Sequence, residues 1–255
     1  MALEIEQFTC RDDNFGVLAH DSETGETALI DAPEERAILA AIERTGWKPT
    51  MVLVTHKHPD HVEAIPALKE RFGLTVVGPA AEADSIPGID RTLAEGDTVR
   101  VGRHEAKVIE TPGHTAGHIS YHFADAGIAF TADTLFALGC GRLFEGSPAD
   151  MLGSMRKLAA LPLDTVIYCG HEYTQANARF ALSVDPTNSA LKQRAERIDA
   201  LREDGKPTLP TTLAEEMATN PFLRWHDPVI RRNLDMADAS DEAVFAELRK
   251  RKDVF

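Results

Sequence analysis

Three histidines and one aspartate lie within six positions of the segment VTHKHPDHVEA, residues 54–64, directly after the apolar residues MVL. The pattern His-x-His-x-Asp-His combines imidazole and carboxylate groups, which are preferred ligands of zinc and related divalent ions. His56 and His58 are two residues apart, so in an extended segment they point to the same side. Asp60 and His61 follow a proline that turns the chain toward a helix, and they suit a second metal ion. Because a lone histidine is more often structural, the prediction of a metal site rests on the whole pattern.

Three single residues further along the chain would complete the coordination of two metal ions. His114 stands on the Pro-Gly turn of ETPGHTAGH, Asp133 ends the segment GIAFTAD, and His171 follows DTVIYCG. His118 shares the first of these turns and is assigned a structural or supporting role, because two metal sites fill without it. Each candidate ligand falls where a predicted strand passes into a loop, so we expect the ligands along one edge of a sheet layer.

Two metal ions bound by these residues would hydrolyse a substrate without a serine or cysteine nucleophile. Two cations about 3.5 to 4 Å apart share a water molecule, lower its pKa toward neutrality and stabilise an oxyanion. A thiolate, whose pKa is about 8.5, leaves with little help from a general acid, and no obvious acid stands beside the motifs. Thioester hydrolysis therefore fits this set of residues. Zinc, iron and manganese all suit such ligands.

The elements that must position these residues are predicted from the hydrophobic pattern. Strands are expected at FGVLAH, TALIDA, MVLVT, LTVVG, HEAKVIET, HISYHFA, GIAFTAD and DTVIYCG. Helices are expected at EERAILAAIERTG, at VEAIPALKERFG and at PADMLGSMRKLAAL, the last with Ser147 as its N-cap.

After Tyr173 the pattern becomes helical. The helix-like segments are TQANARFALSV, SALKQRAERIDALRED, TLAEEMA and DEAVFAELRKRK, joined by the proline-rich link GKPTLPTT, and no strand is predicted there. We therefore predict a mixed α/β domain at residues 1–172 and a smaller helical domain at residues 173–255.

Composition limits the cellular context and the partners. The chain has 255 residues, 43% of them hydrophobic, which is enough for a full core. Its formal net charge of −14 argues against a nucleic-acid or anionic-membrane surface. The start MALEIEQFTC does not resemble a signal peptide, and Cys10, Cys140 and Cys169 are expected to be small buried thiols. We expect a cytoplasmic protein.

The motifs together resemble a known superfamily. Across about the first 170 residues, the string T-H-x-H-x-D-H, the P-G-H turn, the strand-final Asp and the later G-H resemble the metallo-β-lactamase superfamily. The segments CGRLFEG, YCGHEYT, LAEEMATNPF and LRKRKD resemble the hydroxyacylglutathione hydrolase, or glyoxalase II, family within it, and extend the resemblance over nearly the whole chain. The sequence departs from the family pattern at residues 62–66, where many members have glycines, and at Phe144, where some members have tyrosine.

The resemblance implies a fold, a ligand assignment and an activity. The fold is a four-layer αββα sandwich, of mixed α/β (α+β) class, with a smaller C-terminal helical domain. One metal is assigned to His56, His58 and His114, the other to Asp60, His61 and His171, with Asp133 as the bridge. Zinc is the expected metal, and the catalytic carboxylates are those of Asp60 and Asp133, which act with a metal-bridging hydroxide. The implied reaction converts S-D-lactoylglutathione to glutathione and D-lactate in methylglyoxal detoxification.

The resemblance also implies contacts to glutathione. They are assigned to Arg142, Phe144, Tyr173, Asn177, Arg249 and Lys252. Arginine can bind a carboxylate in a bidentate manner, which gives a basic cluster a purpose on an acidic protein. From residue type alone, LRKRK is instead the solvated end of a helix. The glycines of GCGRLFEG lack dinucleotide-binding spacing, so we expect them to form a tight turn that presents Arg142.

Two other functions are weighed against this one. A persulfide dioxygenase or a lactonase could share the scaffold, but a mononuclear iron enzyme does not need the second ligand set. A purely structural metal site is disfavoured, because structural zinc is usually held in closed cages of four Cys or His ligands. The expected partner is the small-molecule thioester alone, and we expect a monomer.

Overall fold

The protein is described by a computed structural model that covers residues 3–255 and divides into two compact units. The first unit runs to Glu110 and includes Thr115–Ala132, and the second comprises Thr111–His114 and Asp133–Phe255. The predicted domain boundary after residue 172 remains a prediction, and the first two residues of that predicted domain lie outside the described residues.

The first unit contains a six-stranded mixed sheet in sequential order. Its strands are β1 (Glu4–Cys10), β2 (Asn14–His20), β3 (Thr27–Ile30), β4 (Met51–Leu53), β5 (Thr75–Pro79) and β6 (Arg91–Leu93). Strands β1 to β3 are antiparallel, whereas β3 to β6 are parallel. In the parallel part Val52 lies opposite both Leu29 and Val76, and all three side chains are buried. The β-branched run MVLVT therefore forms a central strand, as predicted.

Helices of the first unit bury one apolar face against this sheet. They are α1 (Glu35–Thr45), α2 (Pro59–Val62) and α3 (Ile65–Phe72), followed by a 3₁₀ helix at Ala80–Ser85. The core joins Ile38 of α1 and Leu68 of α3 to Leu29 and Val76 of the sheet. Helix α1 stops at Gly46, whose φ of 75° is the left-handed conformation that glycine adopts most easily. Helices therefore pack on the sheet where the sequence predicts them.

One predicted helix differs from the structure. The pattern VEAIPALKERFG predicts a single helix from Val62, but α2 ends at Val62 and α3 begins at Ile65. Pro66 stands in the first turn of α3, where its missing N–H leaves no hydrogen bond unmade. The proline therefore marks a helix start rather than an interior position.

The first unit also contains a second sheet, with the strand order β10-β9-β8-β7. Its strands are β7 (Thr98–Val101), β8 (His104–Glu110), β9 (Ile119–Phe123) and β10 (Ile128–Ala132). In the second unit β13 (Val166–Cys169) pairs with β14 (Thr211–Thr212). Because β9 is antiparallel to both β8 and β10, those two strands run parallel to each other. Their carboxyl ends therefore lie at the same end of the sheet. The predicted ligands His114 and Asp133 follow these two strands.

The second unit adds a short hairpin and helices. The hairpin pairs β11 (Leu135–Phe136) with β12 (Gly139–Cys140). The helices are α4 (Pro148–Ala159), α5 (Thr174–Val184), α6 (Ser189–Glu203), α7 (Leu213–Thr219), α8 (Pro228–Asn233) and α9 (Asp241–Asp253). Ser147 caps α4 in a reciprocal arrangement with Asp150, as its position predicts. Leu138, at the tip of the hairpin, packs with Ala181 of α5 and Leu191 of α6.

One expectation for the C-terminal part, that it contains no strand, is wrong, and one helix there was not predicted. The link GKPTLPTT contains the strand β14, which pairs with β13 at Val166 and Ile167. The segment PVIRRN forms α8, whose start is capped by Asp227. Elements this short bury too few residues to show a hydrophobic period, so the pattern of the sequence does not reveal them.

No helix within residues 3–255 has the length and apolar character needed to cross a membrane. The three cysteines are buried and free of disulfide bonds, and burial raises the pKa of the Cys10 and Cys169 thiols to about 12 and that of Cys140 to about 11. The prediction of small buried thiols is confirmed.

Candidate metal centre

The His-x-His-x-Asp-His segment follows the end of β4, as the sequence predicts. His56 is fully buried, and His58 adopts an extended conformation at the N-cap of α2. Pro59 begins α2, so Asp60 and His61 lie in the first turn of a short helix. The chain therefore changes from extended to helical in the middle of the motif, which directs its two halves differently.

Hydrogen bonds orient the histidine rings of this segment. Thr55 Oγ1 lies 3.1 Å from Nδ1 of His56, and Asp31 Oδ2 lies 2.8 Å from Nδ1 of His61. In both rings the opposite nitrogen, Nε2, therefore faces the site. Nε2 of His56 lies 3.1 Å from Nδ1 of His58. A partner on one ring nitrogen fixes which nitrogen binds a metal, and it also raises the basicity of that nitrogen.

Asp31 is a supporting residue that the sequence-based reasoning missed. It directly follows β3 and is buried. Its carboxylate accepts hydrogen bonds of 2.8 Å from both the backbone N–H and the hydroxyl of Thr55, besides its contact with His61. The strand-final aspartate in TALIDA is the same signal that identified Asp133 in GIAFTAD, so it was available in the sequence.

Glu82 is a second missed residue. It lies in the 3₁₀ helix Ala80–Ser85, and only 4% of its surface is exposed. Its carboxylate accepts the backbone N–H of Lys57 at 2.7 Å and that of Gly117 at 3.0 Å. It therefore ties the histidine loop to the turn that precedes His118. Nothing in the segment AAEADS indicates this role.

In the second unit, the buried side chains of His114 and His171 both lie near one carboxylate oxygen of the buried Asp133. Nε2 of His114 lies 3.4 Å from Oδ2 of Asp133, and Nε2 of His171 lies 3.3 Å from the same oxygen. Nδ1 of His114 donates to the carbonyl oxygen of Arg142 at 2.8 Å. Asp133 therefore stands between two imidazoles whose Nε2 atoms both face it.

All seven predicted ligands occur in groups whose ligand atoms lie within 4.8 Å of one another. The groups are His56, His58 and His114; His56, His61 and Asp133; and Asp60, His61 and His171. Ligand atoms about 2.0 to 2.2 Å from one tetrahedral ion lie about 3.3 to 3.6 Å from each other. The separations around Asp133 fall within this range. The His/Asp groups therefore suggest a metal site, and their donor types suit a divalent ion.

Three of the predicted substrate-binding residues have exposed side chains beside ligands. Tyr173 is 37% exposed, and its ring stacks on that of His171 with 4.7 Å between centroids. Phe144 is 61% exposed and lies edge-on to His114. Arg142 is exposed, and its Nε lies 3.4 Å from a carboxylate oxygen of Asp253.

The other three predicted substrate-binding residues have different surroundings. Asn177 is buried and donates to the carbonyl oxygen of Ala137 at 3.0 Å. Arg249 is only 6% exposed and donates to the carbonyl oxygen of Cys140 at 2.8 Å, so it is not part of a solvated helix end. Burial and the nearby Arg249 cation lower the pKa of Lys252, whose Nζ lies 5.6 Å from the centroid of the Phe180 ring.

His118 is fully buried and lies outside the three ligand groups. Its ring centroid is 4.9 Å from that of His56. Its supporting role remains a prediction.

Comparison with known families divides the chain into two matched segments. Residues 17–171 match the family described as the Metallo-beta-lactamase superfamily, and residues 172–255 match the family described as the Hydroxyacylglutathione hydrolase C-terminus. The fold is thus the metallo-β-lactamase fold with a C-terminal helical region.

A curated relative and two solved structures extend this result. A protein of Chelativorans sp. (strain BNC1) named Hydroxyacylglutathione hydrolase is 74% identical over 255 residues, which is 100% of each chain. The structure of ETHE1 from Myxococcus xanthus has a TM-score of 0.69 at 27% identity, covering 97% of this chain and 90% of that one. TTHA1623, solved in a di-iron-bound form, has a TM-score of 0.63 at 26% identity, covering 86% of this chain and 100% of that one.

Proposed function

Because the chain belongs to the hydroxyacylglutathione hydrolase family of the metallo-β-lactamase superfamily, we propose that it hydrolyses the thioester bond of S-(2-hydroxyacyl)glutathione. The substrate we propose is S-D-lactoylglutathione, and the products are glutathione and D-lactate, as in methylglyoxal detoxification. The observation that carries this proposal is the convergence of seven His and Asp ligands in a chain that matches a named hydrolase over its full length. Full-length identity does not favour a persulfide dioxygenase or a lactonase.

The proposed cofactor is a pair of divalent metal ions, with zinc preferred and iron or manganese as alternatives. His56, His58 and His114 would hold one ion, Asp60, His61 and His171 the other, and Asp133 both. When bound, such a pair lowers the pKa of water toward neutrality and stabilises negative charge on a carbonyl oxygen. The ligand groups support this assignment, because His61 belongs to a group with Asp133 and to one with Asp60.

Asp60 and Asp133 are the carboxylates that we assign to catalysis. The side-chain amide of Asn14 donates to Oδ2 of Asp60 at 3.1 Å and to its backbone carbonyl at 3.3 Å, which fixes the orientation of this carboxylate. Each carboxylate can accept a proton from the attacking water. The thiolate of glutathione needs no protonation to leave, so the site needs no separate general acid.

Arg142, Tyr173 and Lys252 are the residues we propose to contact glutathione. The Arg142 guanidinium can bind a glutathione carboxylate, and the exposed Tyr173 ring offers an apolar face with a hydroxyl. Phe144 presents an aromatic ring next to His114 and lacks the hydroxyl of a tyrosine there. Direct contacts from Asn177 and Arg249 remain predictions. Within this assignment residues 1–172 form the catalytic domain and residues 173–255 the glutathione-binding domain.

The remaining features of the proposal concern the setting of the enzyme. We propose a monomer in the cytoplasm that binds neither nucleic acid nor membrane. The net charge of −14 supports the last two points, since both surfaces are anionic.

The decisive experiment follows hydrolysis of S-D-lactoylglutathione by the purified protein while the metal bound per chain is measured. We expect thioester cleavage that is lost on chelation and restored by a divalent ion, with about two ions per active chain. Full activity in a metal-free preparation would exclude the proposed chemistry. A fully metal-loaded chain that does not cleave this thioester would exclude the substrate.

A further inference from the structure

The hairpin formed by β11 and β12 connects two parts of the candidate site. It begins two residues after Asp133 and ends two residues before Arg142. At its tip Leu138 has a φ of 58°, which is unusual for a residue with a side chain. Two-residue strands form too few hydrogen bonds to be stable alone. The hairpin therefore needs support from elsewhere in the chain.

That support comes from four buried side chains that contact five consecutive backbone positions. Asn220 donates to the carbonyl oxygens of Phe136 at 3.1 Å and Gly139 at 3.0 Å. Glu216 accepts the backbone N–H of Leu138 at 2.8 Å. The carbonyl oxygens of Ala137 and Cys140 accept from Asn177 and Arg249 respectively. The backbone of the hairpin is thus recognised position by position.

Of these four side chains, Glu216 has the greatest need for polar partners, because its carboxylate is fully buried. It pairs with the buried guanidinium of Arg194 and accepts the hydroxyl of Thr211 at 2.8 Å. Its other oxygen accepts the Leu138 N–H and the Asn220 amide at 3.0 Å. A buried ion pair is a costly way to gain stability, and apolar residues often replace one without loss. The same carboxylate thus contacts Arg194 through one oxygen and the hairpin and Asn220 through the other.

The hairpin in turn determines the surroundings of two predicted ligands. Gly141, directly after β12, donates to the carbonyl oxygen of Thr134 at 3.1 Å. A Cβ atom at Gly141 would lie 1.9 Å from the carbonyl oxygen of Asp133. The two chain segments approach so closely there that only glycine fits at position 141. The next carbonyl oxygen, that of Arg142, orients the ring of His114. A shift of the hairpin would therefore move Arg142, His114 and Asp133 together.

We propose that Glu216 and Asn220 of the motif LAEEMATNPF are positioning residues for the active site. They fix the backbone of Phe136–Cys140, and through it the carbonyl oxygen that orients His114 and the guanidinium of Arg142. The proposal rests on the proposed thioester hydrolysis for its kinetic consequences. It assigns a purpose to a motif whose residues lie 78 and 84 positions in the sequence from the hairpin residues that they contact.

The test compares Glu216→Gln and Asn220→Ser with the matched control Glu215→Gln. Glu215 precedes Glu216 on α7 and also lies near Arg194, but its pairs are with Arg194 and Arg197 and not with the hairpin. Steady-state kinetics on S-D-lactoylglutathione are measured at a temperature where circular dichroism shows each variant folded. We expect kcat/KM to fall about 10- to 100-fold in both test variants, the range typical of residues that orient metal ligands. The control should stay within about twofold of the wild type, and Glu216→Asp should recover part of the loss.

A second readout does not depend on activity. Hydrogen exchange of the peptide that contains residues 135–142, and the reaction of Cys140 with an uncharged thiol reagent, both report on the hairpin. We expect faster exchange and faster labelling in Glu216→Gln and Asn220→Ser only. If the wild type does not cleave the thioester but these two measurements change as expected, the proposed function fails and the support of the hairpin stands. Normal kcat and KM in folded test variants, or unchanged hairpin exchange, would overturn the positioning role. Should Glu216→Gln not fold, Asn220→Ser decides, because it leaves the Glu216–Arg194 pair in place.

Discussion

The histidine loop that follows β4 and the hairpin of β11 and β12 contribute to the candidate site in different ways. The loop provides the side chains of predicted ligands, and the residues that support it, Asp31 and Glu82, lie 24 to 30 residues from their partners in the sequence. The hairpin provides mainly backbone, and its supporting side chains lie 40 to 109 residues away. Both segments are oriented by buried polar side chains, but the motif of the loop consists of predicted ligands, whereas the motif CGRLFEG begins only at Cys140, the last residue of the hairpin.

The difference shows what kind of support each segment needs. Imidazole rings are oriented by one hydrogen bond each, which a nearby strand can supply. A backbone segment with little regular structure has several N–H and C=O groups to satisfy, and each needs its own partner when buried. The C-terminal helices supply those partners, so they support the hairpin in addition to any contact with substrate.

Asp133→Ala should have the largest effect, because Asp133 belongs to a ligand group with residues of the loop and lies two residues before the hairpin. We expect loss of bound metal and a fall in turnover of more than about 100-fold, above the range for residues that only orient ligands. Metal analysis and kinetics on S-D-lactoylglutathione measure both effects. The exposed Asp164→Ala serves as the control. A variant with two bound metals and wild-type activity would remove Asp133 from the site.

Asp31→Asn tests the support of the histidine loop. The side-chain amide of asparagine has one oxygen instead of two, so it cannot accept all the hydrogen bonds that Asp31 accepts from Thr55 and His61. We therefore expect metal affinity to fall about 10- to 100-fold. The measurement is competition with a chelator. Asp90→Asn is a matched control, because Asp90 also accepts a backbone N–H, from Val76, but contacts no histidine. Equal metal affinity in the Asp31 variant and the wild type would show that the loop does not need this carboxylate.

Lys252→Ala tests whether α9 contacts substrate as well as the hairpin. A half-exposed charged contact contributes about 1 kcal/mol, so we expect KM for the glutathione thioester to rise roughly fivefold with kcat unchanged. The rise should shrink at high salt, and a small thioester without carboxylates should show no change. Lys250→Ala, on the same helix and 80% exposed, is the control. A KM equal to that of the wild type would leave Lys252 with a packing role.

The substitution Asp90→Asn should have the smallest effect, and it should change only the free energy of unfolding. Hydrogen bonds from Lys69 and from the Val76 N–H lower its pKa below the usual value. The unfolded chain therefore binds more protons, so the stabilisation is present above a pH of about 4 and is lost as the pH falls through the lower folded pKa. The side chain is partly exposed, so we expect less than about 1 kcal/mol between the wild type and Asp90→Asn at pH 7. Urea unfolding at pH 7 and pH 3 measures it, and a difference that grows at low pH would contradict the assignment.

The long elements were predicted from the sequence with good accuracy. The eight predicted strands all occur, and α1, α4 and α5 lie where their patterns and caps indicate. The structure adds β1, whose alternating polar residues lie on a half-exposed edge strand, the short strands β6 and β7, and the two-residue strands β11, β12 and β14. An edge strand needs no continuous apolar run, and a two-residue strand has no period to detect.

The sequence by itself predicted the ligand set and its location at strand ends, because histidines and aspartates at strand ends have few other uses in such a pattern. It also determined the family, through motifs spread over nearly the whole chain. Only the tertiary structure decided the tasks of Glu82, Glu216 and Asn220, and showed that Arg249 is buried against the hairpin. The physical reason is that these side chains bind backbone groups. Any residue presents the same N–H and C=O groups, so the sequence has no means of marking which of them a distant side chain will meet.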